Sequence, residues 1–204
     1  MMNILYEIGD KLYINLTNHC PCDCVFCIRQ TGDGAYGSDS LWLERDATSE
    51  EVINALSQKD LDSYSEIIYC GFGEPTEALD MLIDSAKFIK SKTKTPLRLN
   101  TNGLSDLINK KPTARLLEGL IDFVSVSLNA PDAQSYNKTT RPKFSQGDDK
   151  TAFETMISFA TECKKFIPKV MFTVVDVITK DEIERSKKLC EELGIELRVR
   201  KYDS

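Results

Sequence analysis

Four cysteines within one short stretch are the most chemically active feature of this 204-residue sequence. The stretch HCPCDCVFC contains Cys20, Cys22, Cys24 and Cys27. Cys20, Cys24 and Cys27 have the spacing C-x3-C-x2-C, and three thiolates in one tight loop suit a cubane iron–sulfur cluster with one iron that lacks a protein ligand. An ordinary four-thiolate cluster or a structural zinc site needs a fourth ligand, which could be Cys22, His19 or a group outside the protein.

Cys22 is the cysteine that fits this pattern least well. One residue separates it from Cys20 and one from Cys24, so its side chain cannot easily reach a face that the other thiols leave open. If Cys20, Cys24 and Cys27 are the ligands, we expect Cys22 to be a spare, exposed thiol. A zinc knuckle and a four-cysteine electron-transfer cluster remain the non-enzymatic alternatives.

Composition limits the compartment and the partners. The net charge is −6, and basic residues are spread along the chain, so nothing indicates nucleic-acid binding. No apolar run approaches the roughly 20 residues that cross a bilayer, and the N-terminus lacks the pattern of a secretory signal. We expect a cytoplasmic protein, in which clustered thiols bind metal or do redox chemistry more often than they form disulfides.

Alternating strand and helix patterns predict the elements that carry these cysteines. Buried or alternating apolar runs predict six strands, at 11–17, 65–70, 97–101, 122–128, 169–178 and 195–202. Helical spacing lies between them, at 50–56, 78–92, 114–120, 151–166 and 183–194. Thr48 and Thr179 open capping boxes, and Gly194 stops the last helix. Strict alternation predicts an α/β fold with a mostly parallel sheet, an open partial (β/α)6 TIM-like barrel, in one domain over residues 1–204.

Polar motifs follow the predicted strands at the edge where parallel α/β sheets place their chemistry. The turn CGFGEPT follows the second strand, and its exposed backbone groups, with Glu74 beside Gly73, could bind an ammonium group. Asn102 follows the third strand in NTNG. Each motif has a plainer interpretation, a tight strand-to-helix turn for the first and an ordinary Asn-Gly turn for the second.

The fourth predicted strand ends in SVSLNAPD, where Ser127 and Asn129 point to the same side. Small hydrogen-bonding side chains at this place suit ribose hydroxyls. The alternative is a helix cap by Asn129 or Asp132. Agreement of the motifs after strands one to four is the stronger argument, because four such endings by chance are improbable.

The cysteine spacing, the aromatic residue before Cys27 and the motifs GFGEP, NTNG and SLNAP together resemble the radical S-adenosylmethionine (radical SAM) superfamily. Over nearly the whole chain the sequence looks most like the TatD family-associated radical SAM proteins. The resemblance implies that a [4Fe-4S] cluster binds Cys20, Cys24 and Cys27, and that Phe26 lies against the adenine of SAM. It also implies that Gly73 and Glu74 contact the SAM amino group, that Asn102 lies beside the cofactor, and that Ser127 and Asn129 contact the ribose.

The same resemblance implies reductive cleavage of SAM to methionine and a deoxyadenosyl radical, which abstracts hydrogen from a substrate. It implies a flavodoxin- or ferredoxin-type electron donor and a TatD-type metal-dependent hydrolase as a partner. A glycyl-radical activase and a carboxy-deazaguanine synthase-like enzyme, which share the short barrel, are the alternatives within enzymes.

The substrate side of the sequence is less informative. Tyr136, Arg141 and Lys143, with the loop at 28–47 that contains Tyr36 and Trp42, are candidate substrate contacts, since Arg and Lys could clamp a carboxylate or phosphate. The alternative is solvated loops with ordinary surface charge. A small open barrel suits a large substrate, such as a polypeptide or a partner-bound molecule.

Overall fold

Seven strands form one sheet in the computed structural model, which describes residues 2–35, 37–145 and 151–202. The strands lie side by side in chain order, and no pairing of described residues joins the first to the last, so the sheet is open. Strands β2 to β7 are parallel, and β1 pairs antiparallel with β2. The strands are β1 Leu5–Ile8, β2 Lys11–Ile14, β3 Glu66–Tyr69, β4 Leu97–Thr101, β5 Phe123–Ser127, β6 Lys169–Val175 and β7 Glu196–Arg200. The predicted open, mostly parallel α/β sheet is confirmed.

Helices connect the parallel strands. They are α1 Ser49–Ser57, α2 Leu79–Lys92, α3 Ser105–Asn109, α4 Ala133–Thr140, α5 Thr151–Cys163 and α6 Lys180–Leu193. Both predicted capping boxes form, Thr48 with Glu51 and Thr179 with Glu182, and Gly194 ends α6 with a left-handed φ of 59°. None of the helices in the described ranges is both long and apolar enough to cross a membrane.

The two faces of the sheet have different compositions because side chains alternate along each strand. The outer face, with Leu12, Ile67, Leu99, Val126 and Phe172, packs against the helices in one continuous core. The inner face consists of the residues between these positions. It carries polar and charged side chains from β2 to β7.

Three predictions of local structure differ from what the structure shows. The first strand of the sheet, β1, was not predicted; its four residues fold back on β2 through a two-residue turn at Gly9, whose φ is 61°. The helix predicted at 114–120 is a single 3-10 turn, Ala114–Leu117, and the α-helix of this crossover is the earlier α3. Gly119, with a φ of 72°, ends that turn before a second can form. The sequence of residues 131–150 indicates a loop with a short helical turn; in the structure the helix in this segment is the eight-residue α4, Ala133–Thr140.

The loop at 28–47 packs against the inner face beside β1. Phe72 lies in the turn after β3, and its buried ring forms a small cluster with Tyr6, Ala35 and Leu41. The edge of Trp42 lies against Phe72, with ring centroids 5.0 Å apart. Asn15 Nδ2 donates to the Leu41 carbonyl at 2.7 Å and fixes the same segment. Phe72 therefore anchors this loop on the sheet.

Phe72→Ala should release the loop. We expect the free energy of unfolding in urea to fall by about 3 kcal/mol, as for other buried aromatic truncations. Trp42 is the only tryptophan, so its emission should shift to the red as its ring loses the Phe72 contact. Phe166→Ala, at a ring stacked under Arg115, is the control: it should reduce stability without changing the emission. Unchanged emission in Phe72→Ala would mean that the anchor lies elsewhere.

Candidate functional site

Strand ends bring the predicted site residues to one edge of the sheet. The cysteine loop, residues 18–27, follows β2; the turn with Gly73 and Glu74 follows β3; Asn102 follows β4. The Glu74 N–H donates to the His19 carbonyl at 2.8 Å, and Glu74 Oε2 accepts from the Asn102 N–H at 2.7 Å. Ser127 and Asn129 lie at the end of the neighbouring β5. The first three segments are thus in direct contact at this edge.

Glu74 is the centre of this arrangement. Its carboxylate is buried, and Oε1 accepts hydrogen bonds from the Thr76 N–H, the Thr76 hydroxyl and the Thr101 hydroxyl at 2.7–3.1 Å. Burial raises the pKa of Glu74, and the donors from Asn102, Thr101 and Thr76 oppose that shift. The one oxygen with a single protein donor, Oε2, is the atom left to meet an external ammonium group.

Glycine is required beside Glu74 for a reason that the sequence did not suggest. A Cβ on Gly73 would overlap the carbonyl oxygens of Thr17 and His19, and one on Gly71 would overlap the side chain of Asn15. These glycines allow the turn after β3 to pack closely on the segment after β2. Close approach of protein backbone, rather than of a ligand, is what the structure shows at Gly73.

The thiols of the cysteine loop lie close to one another. Hydrogen bonding with the thiols of Cys20 and Cys24, together with burial, raises the pKa of Cys22, and hydrogen bonding with Cys22 lowers that of Cys20. Asn102 Nδ2 lies 4.0 Å from Cys20 Sγ and 3.8 Å from Cys22 Sγ. The expectation that Cys22 is exposed was wrong, because its residue is only 5% exposed. Within the described ranges no three His, Cys, Asp or Glu side chains stand in the arrangement of a metal-ion site.

Backbone hydrogen bonds hold the cysteine loop on the end of α4. The N–H groups of Asp23 and Val25 donate to the carbonyls of Thr140 and Thr139 at 3.1 and 3.0 Å. Cys22 forms an isolated antiparallel bridge with Pro142. The loop therefore has a fixed course before any ligand binds.

The predicted substrate residues lie in this supporting segment. Arg141 Nη1 is 3.5 Å from Asp23 Oδ2, and the Lys143 N–H donates to the Pro21 carbonyl at 2.9 Å. Tyr136 is 1% exposed, and its hydroxyl, within the described part of the chain, has no hydrogen-bond partner. Burial raises the pKa of that hydroxyl well above its usual value. Contact of these three residues with a substrate stays a prediction. Tyr36 and residues 146–147 lie outside the described residues.

Arg29 is a site residue that the sequence analysis missed. Its Nε donates to Cys27 Sγ at 3.2 Å, Nη1 to the Asn18 carbonyl at 3.4 Å and Nη2 to the Cys22 carbonyl at 3.3 Å. Burial opposes the charge on Arg29, but the neighbouring cysteines, Cys27 above all, raise its pKa. An arginine two positions after the last cysteine was the available signal. His19, by contrast, is exposed and lies 3.3 Å from Asp46.

Phe26, Ser127 and Asn129 are less constrained by the protein. Phe26 and Ser127 are half-buried. Asn129 is buried and takes a left-handed φ of 57°, a conformation that Asn tolerates better than most residues. Its N–H donates to the Thr173 carbonyl of β6 at 3.2 Å. Their contacts with a cofactor stay predictions.

An open, mostly parallel α/β sheet with a cysteine loop after its first parallel strand is the architecture of radical SAM enzymes. The family model for the Radical SAM superfamily matches residues 14–190, and the chain belongs to this family. Members of this family use a [4Fe-4S] cluster, SAM and an electron donor.

Solved structures agree on the fold. SuiB of Streptococcus suis bound to the precursor peptide SuiA aligns with a TM-score of 0.66 at 19% identity over 97% of this chain and 40% of that one. SuiB bound to S-adenosylmethionine aligns with 0.66 at 20% identity over 96% and 41%. Methylornithine synthase PylB aligns with 0.57 at 14% identity over 94% and 53%. The chain thus spans two fifths to one half of these structures. No curated protein matches it.

The donor set fits the cluster that the family uses. Cys20, Cys24 and Cys27 are half-buried thiols of one loop, and thiolates are the ligands that iron–sulfur clusters take. The backbone of this loop is held from outside by its hydrogen bonds to the end of α4. Arg29 already donates to one of these sulfurs, and Asn102 lies beside another.

Glu74→Gln tests whether the carboxylate of Glu74 holds the segments at this edge of the sheet together. The amide nitrogen of Gln would face the N–H of Asn102 or a threonine donor, so we expect the free energy of unfolding of the cluster-free protein to fall by about 1–3 kcal/mol. Glu77→Gln is the matched control, since Glu77 in the same turn makes only a loose ion pair with Lys143 at 3.8 Å. Its cost should stay below about 1 kcal/mol in the same urea titration. Equal losses in the two variants would contradict the role of Glu74.

Arg29→Gln tests the contact with Cys27. Losing a positive charge and an N–H···S bond should lower the reduction potential of the reconstituted cluster by roughly 60 mV, which for one electron corresponds to about 1.4 kcal/mol. Arg29→Lys, which keeps the charge, should have a reduction potential between those of the parent and Arg29→Gln. Arg45→Gln, at an exposed arginine paired with Glu51, should leave the potential measured by redox titration and EPR unchanged. A parental potential in Arg29→Gln would exclude this contact in the loaded protein.

Proposed function

We propose that this chain cleaves SAM reductively at a [4Fe-4S] cluster held by Cys20, Cys24 and Cys27. The observation that carries the proposal is the joining of the cysteine loop to Glu74 and Asn102 by hydrogen bonds at the carboxyl edge of the sheet. When bound there, the cluster and SAM supply one-electron cleavage to methionine and a deoxyadenosyl radical that abstracts hydrogen from a substrate.

The protein's own residues position the cofactor and exclude water. In this proposal Glu74 Oε2 and the turn at Gly73 receive the SAM amino group, and Asn102 lies between that turn and the cluster thiols. Phe26 covers the adenine, and Ser127 and Asn129 meet the ribose. Cys22 takes no part as a ligand in this proposal, since it is only 5% exposed and packs into the hydrophobic core.

The substrate we propose is a polypeptide or a partner-bound molecule that enters the open side of the sheet. The structure of SuiB with a precursor peptide, which shares this fold, supports a peptide as one such substrate. We further propose a single domain working in the cytoplasm with a flavodoxin- or ferredoxin-type electron donor. A TatD-type hydrolase as partner rests on the sequence resemblance alone.

Cofactor cleavage is the test of this function. The protein, Cys24→Ala and Cys22→Ala are reconstituted anaerobically with iron and sulfide, reduced with dithionite and given SAM. Deoxyadenosine and methionine are then measured by chromatography. We expect both products from the parent and from Cys22→Ala, and loss of both in Cys24→Ala because one cluster ligand is missing. A parent that binds zinc and forms no deoxyadenosine would overturn the proposal. Loss of the cluster together with both products in Cys22→Ala would overturn the choice of the three ligands.

A further inference from the structure

The inner face of the sheet has a charge opposite to that of the whole chain. Strand register places seven charged side chains of β2 to β7 on this face, five of them cationic and two acidic: Lys11, Glu66, Arg98, Lys169, Glu196, Arg198 and Arg200. The whole chain, by contrast, has 26 Lys and Arg against 32 Asp and Glu. A partly enclosed surface with an excess of one charge concentrates ligands of the opposite charge.

Arg98 is the most enclosed of these cations. Its side chain is 13% exposed, and its guanidinium stacks on Phe123 at 4.5 Å from the ring centroid. Nε donates to Asn100 Oδ1 at 2.7 Å, which fixes the plane of the group. Nη1 lies 3.9 Å from Glu66 Oε2, beyond hydrogen-bond distance, and Glu66 is already paired with Lys11 at 3.0 Å. The two terminal amino groups of Arg98 thus have no acceptor among the described residues.

Arg198 of β7 brings a second cation to the same face. It is the register partner of Thr173, and burial and, to a smaller extent, the charge of Arg198 lower the pKa of Arg98. Among the described residues Arg198 has no ion pair and no hydrogen bond. The Ser125 hydroxyl, on β5, one of the two strands between β4 and β7, has no hydrogen-bond partner in the described part of the chain either. A guanidinium fork, a second cation and a free hydroxyl are the groups that bind carboxylate or phosphate oxygens.

Depth separates Arg98 from the edge assigned to SAM, whereas Arg198 is level with Thr173 and Ser127 at that edge. Arg98 precedes Asn102 by four residues on β4, which is roughly 13 Å along an extended strand. We infer that Arg98 and Arg198 bind an anionic group, a carboxylate or phosphate, of the substrate on the inner face of the sheet. This inference rests on the proposed function, because it takes the inner face as the place where the substrate lies.

Anion binding to the reconstituted protein tests the inference. Inorganic phosphate and, separately, succinate are titrated calorimetrically at low ionic strength into the parent, Arg98→Gln, Arg198→Gln and Arg115→Gln. We expect each of the first two substitutions to weaken binding about tenfold or more. Arg115→Gln should bind like the parent, since Arg115 lies outside this face and is 79% exposed. The tighter of the two probes identifies the group, phosphate or carboxylate. Arg198 is exposed, so its variant remains informative if Arg98→Gln does not fold.

Each other outcome counts against the inference. No binding by the parent, or equal weakening in Arg115→Gln, would overturn it. Competition between SAM and phosphate, with weaker SAM binding in Arg98→Gln, would assign the arginines to the cofactor instead. Deoxyadenosine formation by the parent and Arg115→Gln, measured in the same preparations, reports separately on the proposed function, whose failure would leave the calorimetric result intact.

Discussion

The buried carboxylate of Glu74 is the interaction on which the edge of the sheet depends. It accepts four hydrogen bonds from the ends of β3 and β4, while its own N–H donates to the loop after β2. Three separate loops are thereby held together by one residue. A buried carboxylate is costly unless its oxygens are satisfied, so the turn and its donors stabilise one another or are lost together. Glu74 therefore couples the folding of this edge to the geometry that receives the cofactor.

The cysteine loop, residues 18–27, is also held by contacts that do not involve Glu74. Here the backbone of residues 23–25 binds the carbonyls at the end of α4, and Arg29 binds two carbonyls of the loop itself. Both sets of contacts are made to main-chain groups. A loop that is rigid in its backbone loses little conformational entropy when its side chains bind a cluster. A preorganised ligand site requires a backbone of this kind, which is held in place before the ligand binds.

Sequence patterns predicted the sheet and its reactive edge because both have a local signal. Alternating apolar runs defined β2 to β7, and Thr48 and Thr179 are capping residues whose partners lie three positions away. What could not be predicted depends on contacts between distant residues. Cys22 is buried because it packs into the hydrophobic core, and β1 forms only because β2 offers it a free edge. The acceptors of Arg29 are near in sequence, but only the fold of the loop brings the carbonyls of Asn18 and Cys22 to its guanidinium.

Alternation along the strands also explains how an acidic chain can offer a cationic surface. Every second residue of each strand packs in the apolar core beneath the helices, so it cannot carry charge without a partner. The remaining positions face the inner side of the sheet, where charged side chains such as Arg98 stand among apolar ones such as Ile68 and Met171. Arg98 shows this division, because Leu97 and Leu99 on either side of it are fully buried in the core. Its guanidinium is held on Phe123, and its terminal amino groups have no acceptor at hydrogen-bond distance among the described residues, which is costly for stability alone. The anion inferred above would satisfy those donors.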